Sequence, residues 1–503
     1  MKRASHALLA YVALTIVATW PLVLGLGRDV AWDLGDSVLN MWIMAWDCEQ
    51  LLALLRGDLS RIATFFDANI FYPARLTLAY SEHLIPQALQ IFPVYVVSRN
   101  PILCYNLIFL STFVLSALGM YLLVRELTGS ARAAFIAGLL FGFAPYRLPQ
   151  SSHVQVLSSQ WMPFVFYGFT RYFETRRIRP LAGAAAALVL QNLSCGYYLL
   201  YFSPFAGLYA LWEMWRRDLW RDRRVWSQLA VAAAAVVAVT APFLVPYAEL
   251  RNELFGARTI GEVARYSADV YSYVTPFSEQ RFWSRTLAGF PRIEGELFPG
   301  AVPLALALVG VLVGLPVGRR AGLYAPPTSG YRAPGWVIAV LSALAVLHAV
   351  AAIVALVMRR VTIDLWIVPL RLGNVTQLVL RAAILFALVL AVSPATRARA
   401  RAFMRTHGFF LLALIAAWWL SLGPSPTSLG RPIDLAGPYR FLFEHVPGFS
   451  GLRVPARLAM IVVLMLSVLA GYGAAWVATQ RWGRVALASA AVAFLLEATV
   501  FPF

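Results

Sequence analysis

Residues 31–47 read AWDLGDSVLNMWIMAWD and place two carboxylates, Asp33 and Asp36, directly after an apolar segment. That segment runs from about Ala7 to Leu26, close to the roughly 20 residues that a helix needs to cross a bilayer. The positively charged residues before it predict a cytoplasmic amino terminus. The sequence therefore predicts a first spanning helix within residues 1–27, with the two acids following it on the outer face.

The composition is that of a membrane protein. Of the 503 residues, 60% are apolar and only 13% are charged, whereas soluble domains have about 25% charged residues. The net charge of +18 comes from basic residues in short clusters between apolar segments. This pattern argues against nucleic-acid binding, because it provides no basic face on a soluble fold. The three cysteines, Cys48, Cys104 and Cys195, have no CxxC spacing and predict neither disulfides nor a zinc site.

Six arginine clusters fix the predicted topology if all of them lie on the cytoplasmic side. The clusters are Arg125 to Arg132, Arg171 to Arg179, Arg216 to Arg224, Arg319 to Arg332, Arg397 to Arg405 and Arg481 to Arg484. With the first helix, this placement predicts about 13 transmembrane helices, the others at residues 103–124, 133–146, 156–173, 180–195, 197–215, 226–246, 300–317, 336–358, 375–392, 408–422, 456–478 and 484–502. The predicted fold class is an all-α polytopic membrane protein.

Residues 84–98, LIPQALQIFPVYVVS, form an apolar segment that is short and contains Pro86 and Pro93. A full crossing here would move two arginine clusters to the outside. We therefore predict a half-inserted or re-entrant segment, which a membrane tolerates where the segment is buried in protein.

Three stretches are too long and too polar to be simple turns, and we predict that they form outer, periplasmic loops. They are residues 28–83, 247–299 and 423–455. The second loop separates an N-terminal transmembrane module at residues 84–246 from a C-terminal module at residues 300–503, which contains the third loop. Because the predicted inner loops are short, we expect the functional site to lie at the outer face.

Residues 37–55, in the first outer loop, favour a helix because they contain good helix formers and no proline or glycine. At about 100° per residue, four polar residues fall on one narrow stripe, while tryptophans and aliphatic residues cover much of the rest. The polar residues are Asp36, Asn40, Asp47 and Gln50. This pattern is typical of an interfacial helix at the membrane surface, and we expect its polar seam to face a cavity.

Several of these polar residues also have ordinary structural explanations. Asp36 is well placed to cap the helix by accepting a backbone N–H, and Asp47 is expected to be solvated or structural. Glu82 and His83 form an ionisable pair at a predicted membrane boundary, where such pairs often have a function. Their structural alternative is a helix start, with Ser81 as the cap and Glu82 in the first turn.

The order of these features resembles the GT-C superfamily, integral-membrane glycosyltransferases that use polyprenyl-phosphate sugars. The resemblance rests on a cytoplasmic amino terminus, one helix, and a large outer loop with an acid followed by an interfacial helix. It covers the N-terminal half best, through the motifs GDSVLNMWIMAW, NIFYP, SEHL, YNLIFLSTFVLSALGMYLLVRELTGS, FAPYRLPQSSHVQ and QNLSCGYY. The chain looks most like uncharacterised bacterial members, so no substrate carries over from the resemblance.

The resemblance implies an acidic catalytic base in the first outer loop. Asp36 matches that position best, and Asp33 is the second candidate. Many members of the superfamily have two adjacent acids at this position, whereas this chain has D-x-x-D. Glu82 is the third candidate acid. A carboxylate in this role would remove the proton of the acceptor hydroxyl as the sugar carbon is attacked.

The leaving group of such a reaction is a lipid phosphate, whose charge arginine can stabilise. Arg453 and Arg457 in GLRVPARL, where the third outer loop re-enters the membrane, are the first candidates for binding it; their alternative explanation is snorkelling at the interface. Arg147 and His153 are second candidates, because APYRLPQSSHVQ surrounds them with the amides and hydroxyls of a polar cavity wall. His83 is a further candidate substrate-binding residue.

The sequence thus predicts transfer of a sugar from a polyprenyl-phosphate donor to a lipid-linked glycan, polysaccharide or protein acceptor, at the periplasmic face of a bacterial inner membrane. Two alternatives stay open, a lipid or glycolipid transporter and a non-catalytic membrane scaffold. A transporter needs ionisable residues deep within its spans, whereas most charges here lie at predicted helix ends. No cofactor is certain, although Asp33, Asp36 and Glu82 could converge on a divalent metal.

Overall fold

Helices make up most of the described structure. The computed structural model describes residues 2–313, 333–358, 361–365, 368–372 and 374–500. The helices of the first half are α1 Lys2–Ala18, α2 Asp36–Leu55, α3 Ser60–Thr64, α4 Ile85–Ser98, α5 Pro101–Thr128, α6 Ala131–Gly142, α7 Val154–Leu157, α8 Trp161–Thr175, α9 Ile178–Ser194, α10 Gly196–Arg216 and α11 Arg223–Thr240. Those of the second half are α12 Val245–Leu250, α13 Ile260–Arg265, α14 Ala301–Val313, α15 Gly335–Met358, α16 Val375–Val392, α17 Pro394–Phe403, α18 Phe409–Ser421, α19 Pro438–His445, α20 Ala459–Val477 and α21 Gly483–Ala498.

Within these described ranges, seven helical stretches are long and apolar enough to cross a membrane. They are Asp36–Leu55, Pro101–Thr128, Arg223–Phe255, Gly335–Val357, Val375–Val392, Pro394–Ser421 and Pro455–Val477. Every span predicted from the sequence contains a helix, but several of these helices are shorter than the roughly 20 residues of a full crossing. The structure therefore agrees with an all-α polytopic membrane protein, and the number of crossings stays a prediction.

Two short hairpins depart from the all-α prediction. Their strands are β1 Val361–Leu365 with β2 Val368–Leu372, and β3 Thr427–Ser428 with β4 Arg431–Pro432, and both pairs are antiparallel. The second hairpin turns at Leu429 and Gly430, whose φ angles of 50° and 73° are left-handed. Two-residue hairpin turns require such angles. Leucine is not a turn residue, so the sequence gives only a weak signal for this hairpin.

Helix α20 lies at the centre of the helical bundle. Nearly all of its 19 residues are buried, as expected for a helix that is apolar on every side, and it packs against α14, α6 and α18. Its contact with α14 is closest at Gly310 and Gly473. A Cβ atom on Gly473 would lie 1.9 Å from the carbonyl oxygen of Leu306. Glycine is required at this crossing, because only small residues let two helices approach so closely.

Helices at the periphery expose their apolar side chains. Only 11% of the apolar stretch of α15 and 17% of that of α16 is buried, and Leu347 and Ile353 are among the exposed residues. A soluble protein rarely leaves so much contiguous apolar surface open to water. These helices are therefore suited to contact with lipid chains.

The segment predicted to be re-entrant forms α4. Its 14 residues span about 21 Å at 1.5 Å per residue, which is less than the roughly 30 Å of a bilayer core. Pro93 lies inside the helix, and α4 packs against α2 and α5. Its length is too short for a straight crossing, and its re-entrant placement stays a prediction.

The three predicted outer loops contact one another. Trp32 of the first loop packs against Phe277 of the second, with 5.6 Å between ring centroids. The backbone N–H of Arg258 in the second loop donates to the carbonyl oxygen of Ser450 in the third at 2.9 Å. The second loop thus connects the first loop to the third.

The predicted cytoplasmic clusters also meet. Arg405 lies 3.6 Å from Asp218, and Arg217 lies 3.4 Å from Glu174, which joins three of the clusters. This grouping agrees with the prediction that these arginines lie on the same side of the membrane. The predicted cluster from Arg319 to Arg332 lies outside the described residues.

Candidate functional site

The first residue of α2 meets a histidine from the segment before α7. Oδ2 of Asp36 lies 3.1 Å from Nε2 of His153, and the two side chains are 51% and 26% exposed. We call these two residues the acid–histidine pair. A carboxylate held on one side and open on the other can still take a proton from a bound molecule.

The side chain of Asp36 does not cap α2. The N-cap position belongs to Gly35, and no side chain closes this end of the helix with a hydrogen bond. The capping explanation for Asp36 is therefore wrong. Its negative charge is still favoured there, because the positive end of the helix dipole lies at the N-terminus.

The rest of the predicted polar seam of α2 is buried in protein. Asn40, Asp47 and Gln50 are each less than 5% exposed, so Asp47 is not solvated and the seam does not face an open cavity. Nδ2 of Asn40 donates to the carbonyl oxygen of Ser152 at 3.3 Å and to Oε1 of Gln155 at 3.2 Å. These bonds fix α2 against the segment that carries His153, and they therefore position the acid–histidine pair.

Asp33 lies beside this segment, but both of its carboxylate oxygens are in use. Oδ1 accepts the backbone N–H of Gly35 at 2.8 Å, and Oδ2 accepts the hydroxyl of Ser152. Because Ser152 precedes His153 in the chain, Asp33 helps to hold the histidine in place. Both acids are exposed, but among the described residues Asp36 has only one carboxylate oxygen held, by His153, whereas both oxygens of Asp33 accept a hydrogen bond.

Arg457, just before α20, forms a buried ion pair with Glu294 of the second outer loop. Its Nη2 and Nε lie 2.8 and 3.2 Å from Oε1 of Glu294, and the side chains are only 7% and 11% exposed. Gln150 donates to the other carboxylate oxygen at 2.7 Å. Burial disfavours the charged form of Glu294, but Arg457, His153 and Gln150 together outweigh it and hold the pKa of Glu294 below its usual range. The pair is therefore charged at neutral pH.

Arg453 lies four residues before Arg457, in a non-helical segment, and is held differently. Its guanidinium carbon lies 4.7 Å from the centre of the Tyr266 ring, and that of Arg457 lies 4.7 Å from the centre of the Tyr197 ring. Both arginines are close enough to Asp36 to act on its charge. An open carboxylate, a histidine and two cations thus share one region where the outer loops meet.

Glu82 stabilises the N-terminus of a neighbouring helix. Among the described residues it makes no direct contact with the acid–histidine pair, although the charge of Arg457 also acts on it. Its Oε2 accepts the backbone N–H of Gly196, the first residue of α10, at 2.8 Å, where a helix dipole favours negative charge. Burial raises the pKa of Glu82. The predicted helix start at Ser81 is wrong, because the N-cap of α4 is Leu84.

His83 is enclosed by aromatic rings. It is 5% exposed, and its ring centroid lies 5.6 Å from that of Phe243 and 6.2 Å from that of Tyr247. Burial lowers the pKa of His83 to about 4, so the ring is neutral at physiological pH. The structure does not bring His83 to the region of Asp36 and the arginines.

Arg147 is completely buried and serves packing. Its guanidinium lies over the Phe113 ring at 4.8 Å. Its hydrogen bonds, 2.9 to 3.4 Å long, go to Thr112, Ser116, Leu157 and Ser159. No face of this arginine is left for a substrate phosphate, so Arg147 does not belong to the candidate site.

The acids do not converge on a metal. In the described part of the chain, no three His, Cys, Asp or Glu residues are grouped so that they could hold a metal ion. Glu82 binds the end of α10, and Asp33 binds Gly35 and Ser152. This donor set does not fit a divalent cation, and the positive charge near Asp36 comes from arginines.

Comparison with known protein families assigns the chain to one of them. Residues 54–382, about two thirds of it, match the family described as "Domain of unknown function (DUF6311)". The chain belongs to the DUF6311 family. No curated protein matches its sequence. The matched region of this DUF6311 protein contains His153 and Glu294, whereas Asp36 precedes it and Arg457 follows it.

Two residues of the site in this DUF6311 protein were missed by the sequence predictions. Glu294 and Tyr197 both contact Arg457. Glu294 lies in the motif EGELFPG and has a left-handed φ of 56°, which costs roughly 1–3 kcal/mol in a residue other than glycine. The sequence signal for Glu294 was an acid beside a glycine in a long loop. That signal does not identify Arg457 as the partner of Glu294.

Proposed function

We propose that this DUF6311 protein is a GT-C-like membrane glycosyltransferase. It transfers a sugar from a polyprenyl-phosphate donor to a lipid-linked glycan, polysaccharide or protein acceptor at the periplasmic face of a bacterial inner membrane. One observation carries the proposal: the open carboxylate of Asp36 is paired with His153 and lies near the charges of Arg453 and Arg457. A transfer from a phosphate leaving group to a hydroxyl needs such a base beside such cations.

In the proposed reaction, the acceptor hydroxyl oxygen attacks the anomeric carbon of the sugar. A new C–O bond forms while the bond from that carbon to the phosphate oxygen breaks, and polyprenyl phosphate leaves with the bonding electrons. Asp36 takes the hydroxyl proton, a role that contributes about 100- to 10,000-fold to a rate. His153 binds Oδ2 and so orients the carboxylate toward the acceptor.

The two arginines have different tasks in this proposal. In the described part of the chain, the guanidinium of Arg453 has a ring contact but no hydrogen bond or ion pair, so its donors are open to phosphate oxygens. Arg457 is already bound by Glu294. It therefore acts as a fixed charge behind the phosphate, and Arg453 makes the direct contact.

The membrane placement belongs to the same proposal, with about 13 crossings and α2 lying at the interface. Helix α2 is also long and apolar enough to cross. However, its polar seam is fixed against the segment of His153, and its first residue lies where the outer loops meet. This packing favours the interfacial position, which places Asp36 within reach of both lipid and water.

Asp36→Asn tests the proposal in membrane vesicles that contain the full chain and polyprenyl-phosphate hexoses or pentoses labelled in the sugar. We expect transfer to fall by about 100- to 10,000-fold, with expression unchanged. Asp58→Asn is the matched control, because Asp58 is an acid of the same loop that binds only Ser60 and Arg61. Undiminished transfer by Asp36→Asn would overturn the role of this residue.

Two other outcomes would favour the alternatives. Translocation of a labelled glycolipid in liposomes without any sugar donor, equal in wild type and Asp36→Asn, would indicate a transporter. If alanine at Asp36, Glu82 and Arg453 changed only the stability of the protein, a scaffold would be indicated instead.

A further inference from the structure

A second cleft lies outside the candidate site, where α1, α6 and α21 meet. It has a volume of about 450 Å³, within the range of ligand sites. Its walls are mostly apolar and include Ala7, Ile136 and Leu487. The polar part of the lining consists of two arginines, Arg132 and Arg484, together with His6 and Tyr121.

Within the described part of the chain, the charges of the two arginines in this cleft are not neutralised by a partner. Both are exposed, and among the described residues neither guanidinium has an ion pair or hydrogen bond. By contrast, Arg171 lies 3.1 Å from Glu126, and Arg176 pairs with Asp222. Two open cations at one cleft attract an anion.

The helices add to this attraction. Arg132 is the second residue of α6, and Arg484 is the second residue of α21. The positive ends of both helix dipoles therefore lie at the rim of the cleft. The charge of the rim comes from side chains and backbone together.

The shape of the cleft identifies the class of anion. A free phosphate would use the cationic rim and leave the apolar walls empty, whereas a phospholipid would fill both. The arginine distribution puts this rim on the cytoplasmic side, whose leaflet is rich in anionic lipid, and basic pockets between spanning helices bind such head groups there. We infer that the cleft of α1, α6 and α21 binds an anionic phospholipid, with its phosphate at Arg132 and Arg484 and an acyl chain along the walls.

Lipid-dependent thermal stability tests the inference with the purified full chain in detergent micelles. Added dioleoylphosphatidylglycerol should raise the Tm of the wild type, and the zwitterionic dioleoylphosphatidylcholine should not. In Arg132→Gln/Arg484→Gln, the half-saturating concentration of phosphatidylglycerol should rise by about 30-fold, since each arginine near a membrane surface contributes about 1 kcal/mol. Both side chains are exposed, so the variant should fold.

Arg481→Gln is the matched control, because Arg481 is an exposed arginine of the same cluster that does not line the cleft. It should respond to phosphatidylglycerol as the wild type does. Ala488→Trp keeps both charges but fills the cleft, and it should also lose the response. A response that persists in the double variant or in Ala488→Trp would overturn the inference, and so would an equal rise in Tm with inorganic phosphate alone.

Discussion

Nε2 of His153 lies 3.1 Å from Oδ2 of Asp36, and this contact joins the first outer loop to the segment before α7. Asn40 reinforces it through its bonds to Ser152 and Gln155. The carboxylate that we propose as the base is thus held by groups from a distant part of the chain. Its position depends on packing between α2 and that segment.

Replacing His153 should lower the rate of transfer without removing the base. We expect His153→Ala to reduce kcat by about 10- to 100-fold with little change in KM, because a misplaced catalytic group costs up to about 100-fold. His153→Gln keeps an N–H donor and should recover part of the loss. Steady-state kinetics on both variants checks this, and an unchanged kcat in His153→Ala would remove the histidine from the mechanism.

The buried pair of Arg457 and Glu294 should be costly to break. Glu294→Gln leaves the arginine charge without its counter-ion, and we expect a loss of about 3–5 kcal/mol in the free energy of unfolding. Glu294→Gln/Arg457→Gln should be more stable than Glu294→Gln, because no unpaired charge stays buried. Denaturation of the purified variants in detergent measures both effects.

An exposed pair provides the control for this experiment. Arg258 and Glu262 lie 3.3 Å apart, with side chains that are 45% and 30% exposed. Glu262→Gln should change stability by less than about 1 kcal/mol. Equal losses for Glu262→Gln and Glu294→Gln would contradict the role assigned to burial.

The sequence predicted the main helices and four residues that the structure brings together. Apolar segments and arginine clusters are local features, so they placed a helix in every predicted span. Asp36 was found through the resemblance to the GT-C superfamily, and His153 through its polar neighbours in sequence. Arg453 and Arg457 were found because they lie where the third outer loop re-enters the membrane. Their meeting point follows from the contact of the outer loops.

Other features depend on contacts that no local pattern records. Arg147 has the same polar neighbours in sequence as His153, yet its side chain turns inward to Thr112 and Ser116. Glu82 was predicted to lie in the first turn of its own helix, but its carboxylate accepts the backbone N–H of Gly196 at the N-terminus of α10. Each of these outcomes was decided by a partner far away in the chain.

His83 should make the protein less stable in mild acid. Burial lowers its pKa to about 4, whereas the unfolded chain has a histidine pKa of about 6.5. As the pH falls from about 6.5 to 4, the unfolded state takes up a proton that the folded state excludes, so roughly 3 kcal/mol of stability is lost.

The pH dependence of Tm should be shallower in His83→Gln over this range. His445→Gln, at an exposed histidine, should keep the wild-type slope, and an unaltered slope in His83→Gln would contradict the prediction.

The crossing of α14 and α20 should link stability to activity. In Gly473→Ala, the new methyl group would overlap the carbonyl oxygen of Leu306, and such overpacking costs about 1–3 kcal/mol. Because Arg457 lies at the start of α20, a shift of that helix would also move the arginine and should raise the KM for the donor. Gly207→Ala in α10 is the control, since no atom of the described residues beyond its own helical turn lies within 4 Å of its Cβ position and alanine favours helices. If Gly473→Ala were as stable and as active as Gly207→Ala, α20 would not be the element that positions Arg457 for the proposed binding of the donor phosphate.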